Sequence, residues 1–138
     1  MKIKPLVPDF IPPKYNNDSA CFDIYLQEDI TLTSDTNIKL GFASEFEPGK
    51  VAILLPRSSA GKMGINLRNT AGIIDADYRG EWIAMVHLLN SGVCQKSYRR
   101  GDRIFQCMVI DAPQEPIEIT DNLTETTRGT GGIGSTGK

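Results

Sequence analysis

The sequence predicts an all-β domain, a jelly-roll-like β-sandwich or barrel, followed by a flexible glycine-rich C-terminal arm. Three observations predict it. No segment holds a helical period; the apolar residues come in short β-branched runs; and Gly, Pro, Asn or Asp separates nearly every run from the next. Many short strands with turn signals between them are the pattern of a sandwich or closed barrel.

Taken in order, strands are expected at Asp23–Leu26, Ile30–Thr33, Asn37–Phe42, Val51–Leu55, Ile65–Leu67, Trp82–Leu89 and Ile104–Ile110. EPGK at 47–50 reads as a type II turn, with Pro48 fixing φ and Gly49 supplying φ > 0. It is expected to join 37–46 to 51–55 as a hairpin. Ser58–Gly64 is the one stretch suited to a short helix. Val51–Leu55 and Trp82–Leu89 are apolar at nearly every position, as in strands covered on both faces within a sandwich, a barrel or a subunit interface. The chain thus divides into a β domain at 1–119 and an arm at 120–138. From Thr120 onward only Leu123 and Ile133 are large and apolar, among five glycines, too little to offset the entropy of ordering.

At 138 residues, 40% of them hydrophobic, the chain can build one modest core. A net charge of −2 and a pI of about 5.4 argue against nucleic acid as a partner, since its binders normally show a basic face. MKIKPLVPDFIPP has positive charges but no apolar centre, so it does not read as a signal peptide, and no apolar run is long enough to cross a bilayer. Cys21, Cys94 and Cys107 form no CxxC, and Cys107 reads as a buried reduced thiol. The expectation is a soluble protein of the cytoplasm, the host cytoplasm if the source is viral, with no membrane partner.

GIIDADYRG at 72–80 could be no more than an acidic turn, since Asp and Gly dominate tight turns. Four further blocks concentrate polar residues: ACFDIY at 20–25, LPRSSAGKMG at 55–64, GDRIFQ at 101–106 and TRGTGGIGSTGK at 127–138. Arg57 can chelate two phosphate oxygens, and hydroxyls and turn amides can donate further bonds. Singly, each block has an innocent reading. Two matches in the tail are decoys. GTGGIG at 129–134 fits a dinucleotide fingerprint with no strand before it, and GIGSTGK at 132–138 fits a P-loop without the Ser or Thr that should follow Lys138.

In this order and spacing the five blocks resemble the motifs of the trimeric dUTPase family, over Leu6 to Lys138. The third, NTAGIIDADYRG at 69–80, and the fifth are the most specific. The resemblance implies hydrolysis of dUTP to dUMP and pyrophosphate by water attack on the α-phosphorus. That reaction limits uracil incorporation into DNA and supplies dUMP for thymidylate synthesis. It further implies Asp75 as the general base, a carboxylate that stays ionised at neutral pH. Asp23 would hold Mg²⁺ through coordinated water, which suits an ion that keeps its hydration shell. Arg57, Ser58, Ser59 and Gln106 match phosphate contacts, and Arg128, Ser135 and Thr136 match an arm that closes over the phosphates. Asn69, with Gly72 and Ile74, matches the segment that presents hydrogen-bonding groups to uracil. Tyr78 matches the ring that packs under the deoxyribose, and Ile133 stands where the base is covered. A homotrimer is implied, each site taking the first, second and fourth blocks from one chain, Asp75 from a second and the arm from a third.

Three positions depart from the family pattern. Cys21 and Ser59 each replace a glycine, and Ile133 replaces a phenylalanine that stacks on uracil. The lost stacking is worth about 0.5–1.5 kcal/mol. Two rivals remain. A dCTP deaminase shares RSS of the second block but needs a glutamate on the strand after the third; WIAMVHLLN at 82–90 has only His87 as an ionisable group, and Glu81 sits at its start. A nucleotide-binding regulator without turnover would have lost Asp75 or Arg57, and both are present.

Overall fold

The computed structural model describes residues 1–89 and 95–133. Among these lie β1 (Lys2–Pro5), β2 (Lys14–Tyr15), β3 (Phe22–Ile24), β4 (Ile30–Leu32), β5 (Thr36–Lys39) and β6 (Phe42–Glu45). There follow β7 (Lys50–Pro56), α1 (Ser58–Lys62), β8 (Ile65–Leu67), β9 (Gly72–Asp75), β10 (Ile83–Leu88), β11 (Lys96–Tyr98) and β12 (Phe105–Asp111). A five-stranded sheet in the order β2-β3-β12-β7-β9 carries most of the site, and a three-stranded sheet, β5-β10-β8, shares its core. The pairs β1-β6 and β11-β4 complete the all-β, jelly-roll-like sandwich. Every strand pair is antiparallel.

Alternation places the core. Ala52 and Leu54 of β7, Phe105 and Cys107 of β12, and Ala84, Val86 and Leu88 of β10 point inward, around a fully buried Trp82 whose ring lies 4.9 Å from that of Phe42. Trp82 Nε1 donates to Ser44 Oγ at 3.0 Å, so the one polar atom of this ring is satisfied.

Two expectations change. The run 37–42 is not one strand: Gly41 takes a left-handed φ of 76° and turns the chain between β5 and β6. The turn at 47–50 forms, with Gly49 at φ 79°, but β6 pairs with β1 while β7 pairs with β12 and β9. There is no hairpin across it. On the other faces of β7 and β10 cover is partial: Val51, Ile53 and Leu55 of β7 are half-buried. Ile83 and Met85 of β10 are exposed, as are Ile73 of β9 and Ile110 of β12. Beyond β12, residues 113–130 are all exposed, Ile117 and Ile119 almost completely. No helix of the described residues is long and apolar enough to cross a membrane.

Candidate active site

One polar corner forms where β3, β12 and the end of β7 meet. Register sets it: Gln106 of β12 faces Asp23 on one side and Leu55 on the other. Asp23 is buried, and its carboxylate is fully engaged. Arg57 Nε reaches Oδ1 at 2.8 Å, while Arg103 Nη1 and Asn16 Nδ2 donate to Oδ2 at 3.0 and 2.6 Å. Arg57 follows directly on β7, held by its N–H to the Ile104 carbonyl at 2.9 Å, and its Nη1 also donates to the Arg103 carbonyl at 3.2 Å. Gln106 Nε2 donates to the Pro56 carbonyl at 3.3 Å. Ser58 and Ser59 are exposed at the start of α1. A shallow cavity of about 420 Å³ opens here, with Arg57, Ser59, Tyr98 and Arg103 in its wall. Arg57 and Arg103 bring two guanidinium groups to this wall beside the Asp102 carboxylate, and their N–H donors suit phosphate oxygens. Arg103 is a member that sequence reasoning missed. Its signal was available, as the third residue of GDRIFQ, but only the β3–β12 register reveals that it shares Asp23 with Arg57.

A second group forms along β9. Gly72 pairs with Leu54 so closely that a Cβ there would lie 3.0 Å from the Leu54 Cβ, and Ile74 is buried. Both can therefore meet a ligand only through their backbone. Asn69 and Tyr78 are exposed at opposite ends of this strand, and Asp75 is exposed at its last position. Thr70 holds φ at 64°, rare for a β-branched residue, in a turn closed by Ala71 N–H to the Asn69 carbonyl at 2.6 Å. After Asp75, the Tyr78 hydroxyl donates to the Glu81 carbonyl at 3.2 Å and lies against Gly80, where an added Cβ would fall 2.3 Å from the hydroxyl oxygen.

The two groups are far apart within one chain. Asp75 faces Val51 at one end of β7 and Arg57 stands at the other, six residues away, or roughly 20 Å at strand rise. Asp23 lies three strands across the sheet from Asp75, as far again. Of the arm residues, Arg128 is exposed and donates from Nε to the Gly131 carbonyl at 2.9 Å, and Ile133 is fully exposed. Ser135 and Thr136 lie outside the described residues.

Other titratable groups are accounted for. Burial, and secondarily Cys21, pushes the Cys107 thiol up to about 12, so it is no nucleophile at neutral pH. Glu81 accepts from the Gly41 N–H at 3.2 Å and pairs with Lys39 at 3.2 Å. His87 Nδ1 sits 2.9 Å from Asp35 Oδ1; that contact, and the Leu88 N–H, hold the Asp35 carboxyl below its usual range. Glu81 precedes β10, and His87, on β10, is the strand's one ionisable group. No group of three or more His, Cys, Asp or Glu among the described residues could hold a metal by itself.

Comparison with known proteins identifies the family and the fold. The dUTPase family model matches residues 9–137. A deoxyuridine 5'-triphosphate nucleotidohydrolase of Maricaulis maris is 48% identical over 101 residues, covering 72% of this chain and 65% of the relative. One of the same description from Nautilia profundicola is 37% identical over 142 residues, covering 100% of this chain and 99% of the relative. Among solved structures, a Staphylococcus bacteriophage 80alpha dUTPase with dUPNHPP superposes with a TM-score of 0.87 over 99% of this chain and 98% of that one, at 20% identity.

Proposed function

The chain belongs to the dUTPase family, and from that premise we propose that it hydrolyses dUTP to dUMP and pyrophosphate in a site assembled from several copies of itself. The observation that carries the reading is the separation of the polar groups. Asp75 and the Asp23–Arg57–Arg103 corner are roughly 20 Å apart along and across one sheet, whereas a general base must lie within hydrogen-bond reach of the water it activates. A homotrimer in which Asp75 of one chain faces the arginine corner of the next brings them together. The exposed apolar residues Ile73, Ile83, Met85 and Ile110 supply contact surface for it, and 120–138, exposed at nearly every described position, is the arm contributed by a third chain.

In this reading Arg57, Arg103, Gln106, Ser58 and Ser59 bind the phosphates, joined by Arg128, Ser135 and Thr136 when the arm closes. Asn69 and the backbone at Gly72 and Ile74 recognise uracil, Tyr78 excludes a 2′-hydroxyl, and Ile133 covers the base. Asp75 takes a proton from water as the oxygen bonds to the α-phosphorus and pyrophosphate departs. Because both Asp23 oxygens are already engaged by Arg57, Arg103 and Asn16, this carboxylate would hold Mg²⁺ through intervening water. The ion, when bound, neutralises triphosphate charge. Pyrophosphate release from dUTP, dCTP, dTTP and UTP in parallel tests the reading. dUTP should be turned over far faster than the rest, and Mg²⁺ chelation should slow it severely. Ammonia release from dCTP would instead mark a deaminase.

A further inference from the structure

We propose that Arg79 is a positioning residue that locks the loop bearing Asp75 and thereby sets where its carboxylate points. This rests on the dUTP-hydrolysing reading and deepens it. Asp75 is the last residue of β9, exposed and paired with Val51, and the loop at 76–81 follows it directly. Within that loop Arg79 Nη1 faces three carbonyl oxygens: Ala76 at 2.7 Å, Tyr78 at 3.3 Å and Ser44 at 3.4 Å. The first ties the loop to itself one residue beyond Asp75. The last ties it to β6, where Ser44 is buried and its hydroxyl accepts from the Trp82 indole N–H, while the Trp82 backbone N–H donates to the Phe42 carbonyl at 3.0 Å. A chain of bonds thus runs from the core tryptophan through Ser44 and Arg79 to the peptide adjoining Asp75. The Tyr78 N–H closes the turn on the Asp75 carbonyl at 3.1 Å. A cation is well suited to this duty, since several carbonyl dipoles converge on it, and the flat guanidinium offers N–H groups in more than one direction.

A base held loosely loses rate before it loses binding, because about 1 Å of misplacement can cost on the order of 100-fold in turnover. Arg79→Ala should therefore lower kcat about 10–100-fold while KM for dUTP stays within about threefold. Amide exchange across 75–81 should accelerate, with melting temperature and oligomer mass unchanged. Added guanidinium ion, at concentrations that leave the wild type unaffected, should restore part of the lost kcat, and Arg79→Lys should fall between the two. Unchanged kcat would overturn the proposal. So would a loss that tracks the unfolded or dissociated fraction and resists guanidinium. Wild-type enzyme run in parallel separates the two levels: no pyrophosphate from dUTP there defeats the functional reading, whereas unaltered amide exchange in the variant defeats the lock.

Discussion

At the scale of single residues, the sharpest test concerns the proposed base. Asp75→Asn keeps the shape and removes the proton acceptor, so kcat should fall about 10²–10⁴-fold while dUTP still binds, read by calorimetry against pyrophosphate release. Asp77→Asn, two residues on, should leave turnover close to wild type. Gly80 makes a second test. A methyl there would displace the Tyr78 ring, so Gly80→Ala should reduce the kcat/KM preference for dUTP over UTP by about tenfold or more. Cys107 makes a third, on stability. Its pKa rises from 9.0 to about 12 on folding, so the native state holds the proton more tightly than the unfolded chain. Its contribution is intact below about pH 9 and is lost progressively as pH climbs toward 12. Urea midpoints measured from pH 8 to 11 should drop less steeply for Cys107→Ala than for wild type. What could be read from the letters at this scale was residue type in a motif; what could not was partnership. Asp23 was legible as an acid in the first block, but its two arginines come from segments 34 and 80 residues away and meet it only through strand register.

At the scale of elements, strands that are buried and apolar announced themselves, and those that are neither did not. β8, β10 and β12 were readable within a residue or so because their inward positions alternate over a shared core. β1, β2 and β11 are short and rich in lysine, and GIID of β9 reads equally well as the flank of an acidic turn. The hairpin expected across EPGK failed for a reason local sequence does not contain. A turn brings two strands close, but which edges then bond depends on competitors, and β6 is claimed by β1 while β7 has β12 and β9 on its two edges. The arm is the element whose chemistry is open to direct test. Ile133→Phe adds a flat face where the base is expected, so substrate binding should tighten or product release slow by about 2–10-fold, the equivalent of one aromatic contact. Stopped-flow release of dUMP distinguishes the two. Abolished activity would mean that the arm follows another path.

At the scale of the whole molecule, the prediction is that no single chain is an enzyme. Two inactive variants provide the test: Asp75→Asn with its arm intact, and a chain truncated after Asn122 with its Asp75 intact. Co-refolded at equal amounts, random mixing places both in about three quarters of rings, and one site in each mixed ring is whole, so roughly a quarter of all sites should work. A site drawing Asp75 and the arm from the same chain predicts no recovery, and absent recovery from verified mixed trimers would remove the three-chain site. The length of β7 has one more consequence, for inheritance. Suppose a cell makes intact chains alongside an equal amount of a copy damaged at both Asp75 and the arm. If both parts served one pocket, half the pockets would survive. In the proposed three-chain site, where Asp75 lies roughly 20 Å from its own arginine corner and the arm serves yet another pocket, the two faults would fall in different pockets and only about a quarter would survive. Each further part lost by the damaged copy would then halve the surviving pockets again, as though the lesions lay on separate chains.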